Sequence, residues 1–270
     1  MPIVSFQGEL GAYSEEAASM FFGPNAVTKP CRTFKEVFQS VEDGSAEYGI
    51  APAENSLEGS INQTFDLLLE TPLKICGEVK VRVRHCLLTL PGTKLKDIRV
   101  IYSHPQALAQ CAGFLQKLGL ETVPTYDTAG SAKMLMEKQL KAAAIASERA
   151  ALIYGLQVLR REIEDSPENF TRFFVLGKTD SPPTEKDRTS IVFATTHTPG
   201  SLHNALGELA SRQINLTKIE SRPIRGRPWE YNFFVDFDGH QKDSTVSEAI
   251  SSLRNSTAML KILGSYPRAD

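Results

Sequence analysis

Between Ile3 and about residue 178, short β-prone apolar runs alternate with helix-start signals, and this alternation narrows the fold more than any other feature of the chain. The runs are Ile3–Phe6, Val27-Thr28, Tyr48–Pro52, Arg99–Ser103, Thr122–Thr125 and Ala142–Ala146. Most lead into residues that open a helix. These are Ser14 ahead of Glu15 and Glu16, a capping box at Thr33 and Glu36, Ser103 or His104 ahead of Pro105, Asp127, and Ser147 ahead of Glu148. Neighbouring parallel strands need a crossover of a dozen or more residues, usually a helix. The pattern therefore predicts mostly parallel sheet with helices on both faces. Lys74–Arg84 breaks the rhythm as one long extended segment. The change of character across residues 73–90 predicts two lobes whose polar loops face a single cleft, the usual place for a small ligand.

Residues 179–188 form a linker by composition, rich in Pro, Ser, Thr and charge. Beyond it, strand Ser190–Ala194, helix Ser201–Arg212, strands Leu216–Pro223 and Tyr231–Asp238, helix Ser244–Asn255 and strand Lys261–Tyr266 give the order βαββαβ of a ferredoxin-like module. The expected fold class is thus α/β, a two-lobed region of parallel-rich sheets flanked by helices (periplasmic-binding-protein-like), over residues 1–178. Its last strand lies near 170–178, and an α+β module follows over 189–270.

Charge removes several functions. Thirty basic residues against thirty-two acidic ones leave a net charge of -2. That supports neither a nucleic-acid nor a polybasic membrane role. No apolar run reaches the roughly 18 residues of a membrane span, and the N-terminus lacks the basic and apolar regions of a signal peptide. Cys31, Cys76, Cys86 and Cys111 are widely spaced, and the five histidines show no ligand spacing. Reduced thiols, a cytoplasmic location, no metal and no cofactor are the expectations. His203 and His240 are expected at the surface.

The most unusual stretch is Asn169–Val175, where Thr171 and Arg172 stand side by side in an apolar run. A buried Arg needs an anionic partner. Two readings stay open: polar tips at a cleft, or an edge strand whose Arg reaches solvent. The loop Pro52–Ser60, carrying Glu54, Asn55 and Ser56, sits at the carboxyl end of a strand, where open α/β sheets place ligands. Gln106 and Gln110 share one helix face, four residues apart. The glycine turn around Gly11, with the helix start at Tyr13, makes a small anion pocket.

Taken together, Gly11-Ala12-Tyr13-Ser14, Glu54-Asn55-Ser56, Ser103-His104-Pro105-Gln106, Gln110-Cys111, Asp127-Thr128-Ala129, Asn169 with Thr171-Arg172-Phe173, and Glu220-Ser221-Arg222-Pro223 make the chain resemble the prephenate dehydratase family with a C-terminal ACT domain, over essentially its whole length. Glu9 and Ala12 depart from the commonest bacterial pattern, which has proline and threonine, and Ser201 stands where alanine is more frequent. Other stretches, such as Val83–Leu88, look like the plant-type enzymes that prefer arogenate. The resemblance implies a carbon–oxygen lyase that converts prephenate, or alternatively arogenate, with loss of water and carbon dioxide. A non-catalytic amino-acid sensor is the remoter reading. Thr171 would hydrogen-bond the leaving hydroxyl. Glu54 would supply the proton or merely cap its loop, and Arg172 would clamp a carboxylate or pair within the protein. Asn55, Ser103 and Gln110 would orient the substrate, with Ser56, Phe173, His104, Gln106, Gly11 and Tyr13 around it. L-phenylalanine would bind at Gly200, Ser201, Leu202, Asn215, Leu216, Glu220, Ser221, Arg222 and Pro223, at a seam between two ACT domains of a dimer or tetramer.

Overall fold

A computed structural model describes residues 1–269. The first lobe contains β1 (Ile3–Gln7), α1 (Tyr13–Phe22), β2 (Val27–Cys31), α2 (Phe34–Glu42), β3 (Tyr48–Asn55), the short β4 (Gly59–Ser60), α3 (Asn62–Glu70) and β5 (Lys74–Arg82). Residues 83–85 cross to the second lobe. There follow β6 (Cys86–Thr89), β7 (Val100–Ser103), α4 (Pro105–Gln110), α5 (Ala112–Leu118), β8 (Glu121–Pro124), α6 (Thr128–Lys138), β9 (Ala143–Ala146), α7 (Glu148–Tyr154) and β10 (Gln157–Arg160). The chain returns to the first lobe as β11 (Phe170–Gly177). A C-terminal module closes the fold with β12 (Asp187–Ala194), α8 (Ser201–Ala210), β13 (Leu216–Pro223), β14 (Tyr231–Asp238), α9 (Ser244–Ser256) and β15 (Met259–Pro267).

The sheets run β2-β1-β3-β11-β5 with β4 on β3, β10-β6-β9-β7-β8, and β13-β14-β12-β15. The strands joined by helices pair in parallel, β1 with β2 and β3, and β7 with β8 and β9. The strands next to the crossings, β5, β6, β10 and β11, pair antiparallel, as does the short β4 on β3. The two-lobed α/β reading and the βαββαβ module both hold.

Several local expectations change. The helix expected from Pro105 to Leu118 breaks at Cys111, which leaves helical geometry at φ -114° and ψ 19°. Ser14 does not cap α1; it lies inside the first turn, and Glu15 reaches back to accept the Gly11 amide at 2.7 Å. Burial tends to raise the Glu15 carboxyl, but Arg149 and that amide hold it below its ordinary value. His240 is fully buried, with Nε2 3.2 Å from the Ser181 carbonyl, so of the two histidines expected at the surface His203 alone lies there. β3 runs three residues past its expected end at Pro52, because β4 pairs with it at Glu54 and Asn55. That extension decides where the candidate residues point.

β11 is an interior strand of its sheet, between β3 and β5, and is buried on both faces. Phe173 and Val175 pack into the core shared by the two lobes, with Val4, Phe6, Ile50, Ala146 and Ala150. Phe174 and Leu176 pack the other way, with Phe65, Val192, Phe234 and Tyr266, in the core that seats the C-terminal module on the back of the sheet. Each large side chain buried there contributes about 1.5–3 kcal/mol. Since strand side chains alternate, Thr171 belongs to the first face and Arg172 to the second. Neither the edge-strand reading nor the reading of both residues as cleft tips survives.

Candidate active site

A cleft of about 480 Å³ lies between the lobes, and Asn55, Thr171 and Phe173 lie on its wall. Thr171 and Asn55 are register partners on adjacent strands. Asn55 Nδ2 donates to Thr171 Oγ1 at 3.0 Å and to Asn169 Oδ1 at 2.8 Å. Two backbone amides, from Leu57 and Glu58, donate to Asn55 Oδ1 and fix which end of its amide faces Thr171. The Thr171 hydroxyl therefore accepts from Asn55, and its own proton meets no acceptor among the described residues. Asn169 Nδ2 continues to Gln110 Oε1 at 2.8 Å, and Gln110 Nε2 donates to Glu58 at 2.9 Å. The result is an amide network, ended by the Glu58 carboxylate, that presents one hydroxyl proton to the cleft.

The rest of the wall comes largely from first turns of helices: Ala12, Tyr13 and Ser14 at α1, Thr33 and Phe34 at α2, Ile61 and Gln63 at α3, Asp127 and Thr128 at α6. His104, Gln106, Ala107 and Gln110 line it from α4, and Arg32 adds a cation at the rim. Helix N-termini carry unpaired amides and a partial positive charge. The amides of Tyr13, Ser14, Phe34 and Lys35 have no acceptor among the described residues. At α6 the Asp127 carboxylate takes up Gly130 N and also Glu9 N. Burial raises the Asp127 carboxyl above its ordinary value against these bonds. Such a surface attracts anions.

Glu54 and Arg172 are not part of it, contrary to the expectation that they act on substrate. Arg172 donates through Nε to Glu78 at 2.5 Å, through Nη1 to Asp236 at 2.7 Å and Glu54 at 3.3 Å, and through Nη2 to Tyr266 at 3.0 Å. Glu54 also receives Lys218 Nζ at 2.5 Å. Burial alone would raise the Glu54 carboxyl, but Lys218 and Arg172 outweigh it and hold the group below its ordinary value. A carboxyl held ionised is a poor proton store. Ser103 is fully buried and donates to the Ile145 carbonyl at 2.6 Å, away from the cleft. Ser56 ties its loop to Glu168 O and Phe170 N. Gly11 sits at φ +89° with α7 against it, so that a Cβ would lie 2.6 Å from Ala150 Cα. Its role is to let the lobes touch rather than to hold a ligand. His85, Gln7, Gln63, Arg32, Tyr126 and Thr128 line the cleft without having been expected there. Among the described residues, no group of His, Cys, Asp and Glu is placed to hold a metal ion.

In the C-terminal module, Gly200 precedes α8 at φ 82°, and Ser201 Oγ lies 2.6 Å from Thr198 Oγ1. Leu202 and Leu216 pack on the module's core, and Asn215 donates to Asp238 at 3.0 Å. β13 is an edge strand. Ser221 and Pro223 lie exposed on it. Glu220 and Arg222, expected at the effector, turn to the opposite face of that strand. Glu220 accepts from Ser60 at 3.0 Å and Arg222 pairs with Asp66 at 3.2 Å.

A two-lobed α/β region with a polar interlobe cleft, carrying a ferredoxin-like module on its back, is the architecture of a protein that takes a small molecule between its lobes. The prephenate dehydratase family model matches residues 4–181, and the ACT domain model matches residues 189–255. The chain belongs to the prephenate dehydratase family, whose members are carbon–oxygen lyases, and it carries a C-terminal ACT domain. It is 45% identical to Arogenate dehydratase/prephenate dehydratase 2, chloroplastic, of Arabidopsis thaliana, over 98% of this chain and 72% of that protein. Among solved structures, prephenate dehydratase in complex with L-Phe from Arthrobacter aurescens matches with a TM-score of 0.91 at 34% identity, over 99% of this chain and 90% of that one. GqqA, described as a quorum quenching acylase, matches with a TM-score of 0.91 at 39% identity, over 99% of this chain and 98% of that one.

Proposed function

We propose that the cleft takes prephenate and that Thr171 donates its free proton to the departing ring hydroxyl. The C–C bond to the ring carboxylate breaks, its electron pair enters the ring, and carbon dioxide leaves. The C–O bond breaks at the opposite carbon, the hydroxyl departs as water on the proton from Thr171, and Thr171 regains a proton from solvent water entering the open cleft. The ring becomes aromatic, so the step needs no electron sink. It needs the carboxylates held in place and the leaving oxygen protonated. A positioned acid contributes about 10²–10⁴-fold, and orientation and fixed dipoles supply the remainder.

One observation carries this reading: a neutral hydroxyl, oriented by Asn55, faces a cleft into which the first turns of α1, α2, α3 and α6 open. The unpaired amides and Arg32 match a dicarboxylate. Arogenate, with an added ammonium, has less net charge to gain there. Asn55, Gln110, Tyr13, His104, Gln106 and Phe173 surround the substrate in this account. Catalytic roles for Glu54, Arg172 and Ser103 are withdrawn. Incubation with prephenate should yield phenylpyruvate faster than arogenate yields phenylalanine. A preference for arogenate, or no turnover of either, contradicts the reading.

L-phenylalanine inhibits through the ACT domain in this account, bound near Gly200–Leu202, Asn215 and Ser221 where the β13 edge meets a second copy of the chain. The unpaired edge and the exposed Ile219 support such pairing. The free thiols fit a reducing, cytoplasmic setting. Calorimetry should detect phenylalanine binding and sedimentation should detect a dimer or tetramer; no heat of binding, or a monomer at assay concentration, contradicts this part.

A further inference from the structure

We infer that His85 is a positioning residue of the dehydratase cleft, which holds Gln110 in one amide orientation and ties the two lobes together across the cleft floor. His85 lies in the first crossing between the lobes, and its side chain is only 2% exposed yet lines the cleft. Its Nε2 is 3.0 Å from Gln110 Oε1 on α4, in the second lobe. Its Nδ1 is 3.2 Å from the hydroxyl of Tyr13 on α1, in the first. The Tyr13 and His85 rings meet edge to face, 5.7 Å between centroids. The return crossing clamps the same residue: His85 N donates to Glu164 Oε2 at 2.8 Å, and Ile163 N donates to the His85 carbonyl.

Hydrogen-bond logic fixes the protons. Gln110 Nε2 faces the Glu58 carboxylate, which as an anion only accepts, so Gln110 Oε1 must be the end turned to His85 and Asn169. His85 therefore carries a proton on Nε2 and donates it. In the neutral ring Nδ1 is then an acceptor, and the Tyr13 hydroxyl is the donor beside it. That hydroxyl also lies 2.7 Å from the Arg84 carbonyl, so its single proton is shared between two acceptors. Burial favours the neutral ring, against the Gln110 bond and the Glu164 charge. With Oε1 saturated by two donors, Gln110 keeps one amide proton that meets no acceptor among the described residues, and that proton is available to a cleft ligand.

The inference rests on the dehydratase reading for its kinetic arm only. In the unmodified protein, nitrogen NMR of labelled histidine should show His85 protonated at Nε2 and unprotonated at Nδ1. A ring protonated at Nδ1 alone overturns the inference whatever the enzyme turns over. In the kinetic arm, His85→Phe keeps the ring volume and should lower kcat on prephenate about 10–100-fold, one to two lost hydrogen bonds' worth of orientation. In a Gln110→Ala background the same change should cost less than about threefold, because the group it positions is gone. Losses that multiply in the double variant, or unchanged kcat in the single one, overturn the positioning role. If His85→Phe fails to fold, His85→Met, which likewise has no donor for Gln110, serves with the same pair of outcomes. Wild-type protein inert towards prephenate and arogenate removes the dehydratase reading and leaves the NMR arm to decide the hydrogen-bond assignment.

Discussion

The two faces of β3 and β11 are built from adjacent residues and do opposite things. On the cleft face, Asn55 and Thr171 belong to a network of amides and hydroxyls with no formal charge in its core. On the back face, Glu54 and Arg172 belong to an ionic cluster with Glu78, Asp236, Arg188 and Lys218. Three carboxylates balance three cations there, with Tyr266 and Ser190 completing the hydrogen bonds. A guanidinium paired with three protein carboxylates on the back face is turned away from any ligand in the cleft. The cleft instead obtains its positive character from helix ends, which need no counter-charge. The back face ties β3 and β11 to the ACT sheet, and the front face turns the Thr171 hydroxyl to the cleft.

The sharpest way to break this contrast is Arg172→Met. It leaves Glu78 and Asp236 buried with a missing partner, and removing one member of a buried ion pair costs about 3–5 kcal/mol. Denaturant unfolding should register that loss, while the protein that remains folded keeps its KM for prephenate. A large KM increase in a stable variant would return Arg172 to the substrate. Asn55→Ala comes next. It frees the Thr171 hydroxyl to rotate and should lower kcat by about 10–100-fold, equivalent to roughly 1.4–2.7 kcal/mol, with little change in melting temperature. Glu54→Gln should leave kcat within about threefold, since a carboxylate engaged by Lys218 is not the proton source; a collapse of kcat would reinstate it.

The smallest effect concerns pH. Glu54 has a folded pKa below its unfolded value. Its contribution to stability is therefore complete above the ordinary glutamate range, near ~4.3, and is lost as pH falls through the lowered folded value. Acid titration of the melting temperature should show this loss, and Glu54→Gln should flatten that limb of the curve. An identical slope in both proteins would show that Lys218 and Arg172 do not hold the group ionised.

Much of the architecture was legible in the chain itself. The strand–helix alternation and the βαββαβ order of the last third each correspond to an observed unit. Thr171, Asn55 and Gln110 were also legible as candidates, and they share one cleft. What escaped was orientation. Ending β3 at Pro52 left Glu54 and Asn55 in a loop where both could face the ligand. The pairing with β4 puts them on opposite faces. The partners of Arg172 lie as far along the chain as Asp236 and Tyr266, and no local pattern announces a counter-ion that distant. The helix ends were visible as caps, but their convergence on one cavity depends on how the lobes pack.

The most direct test of the account is the turnover of prephenate by Thr171→Ala beside Thr171→Ser, in protein whose melting temperature matches the parent. The account predicts that alanine lowers kcat by at least about 10²-fold, while serine, which keeps a hydroxyl within reach of Asn55, retains a substantial part of it. Near-parental kcat in the alanine variant would contradict the claim that this hydroxyl meets the departing oxygen.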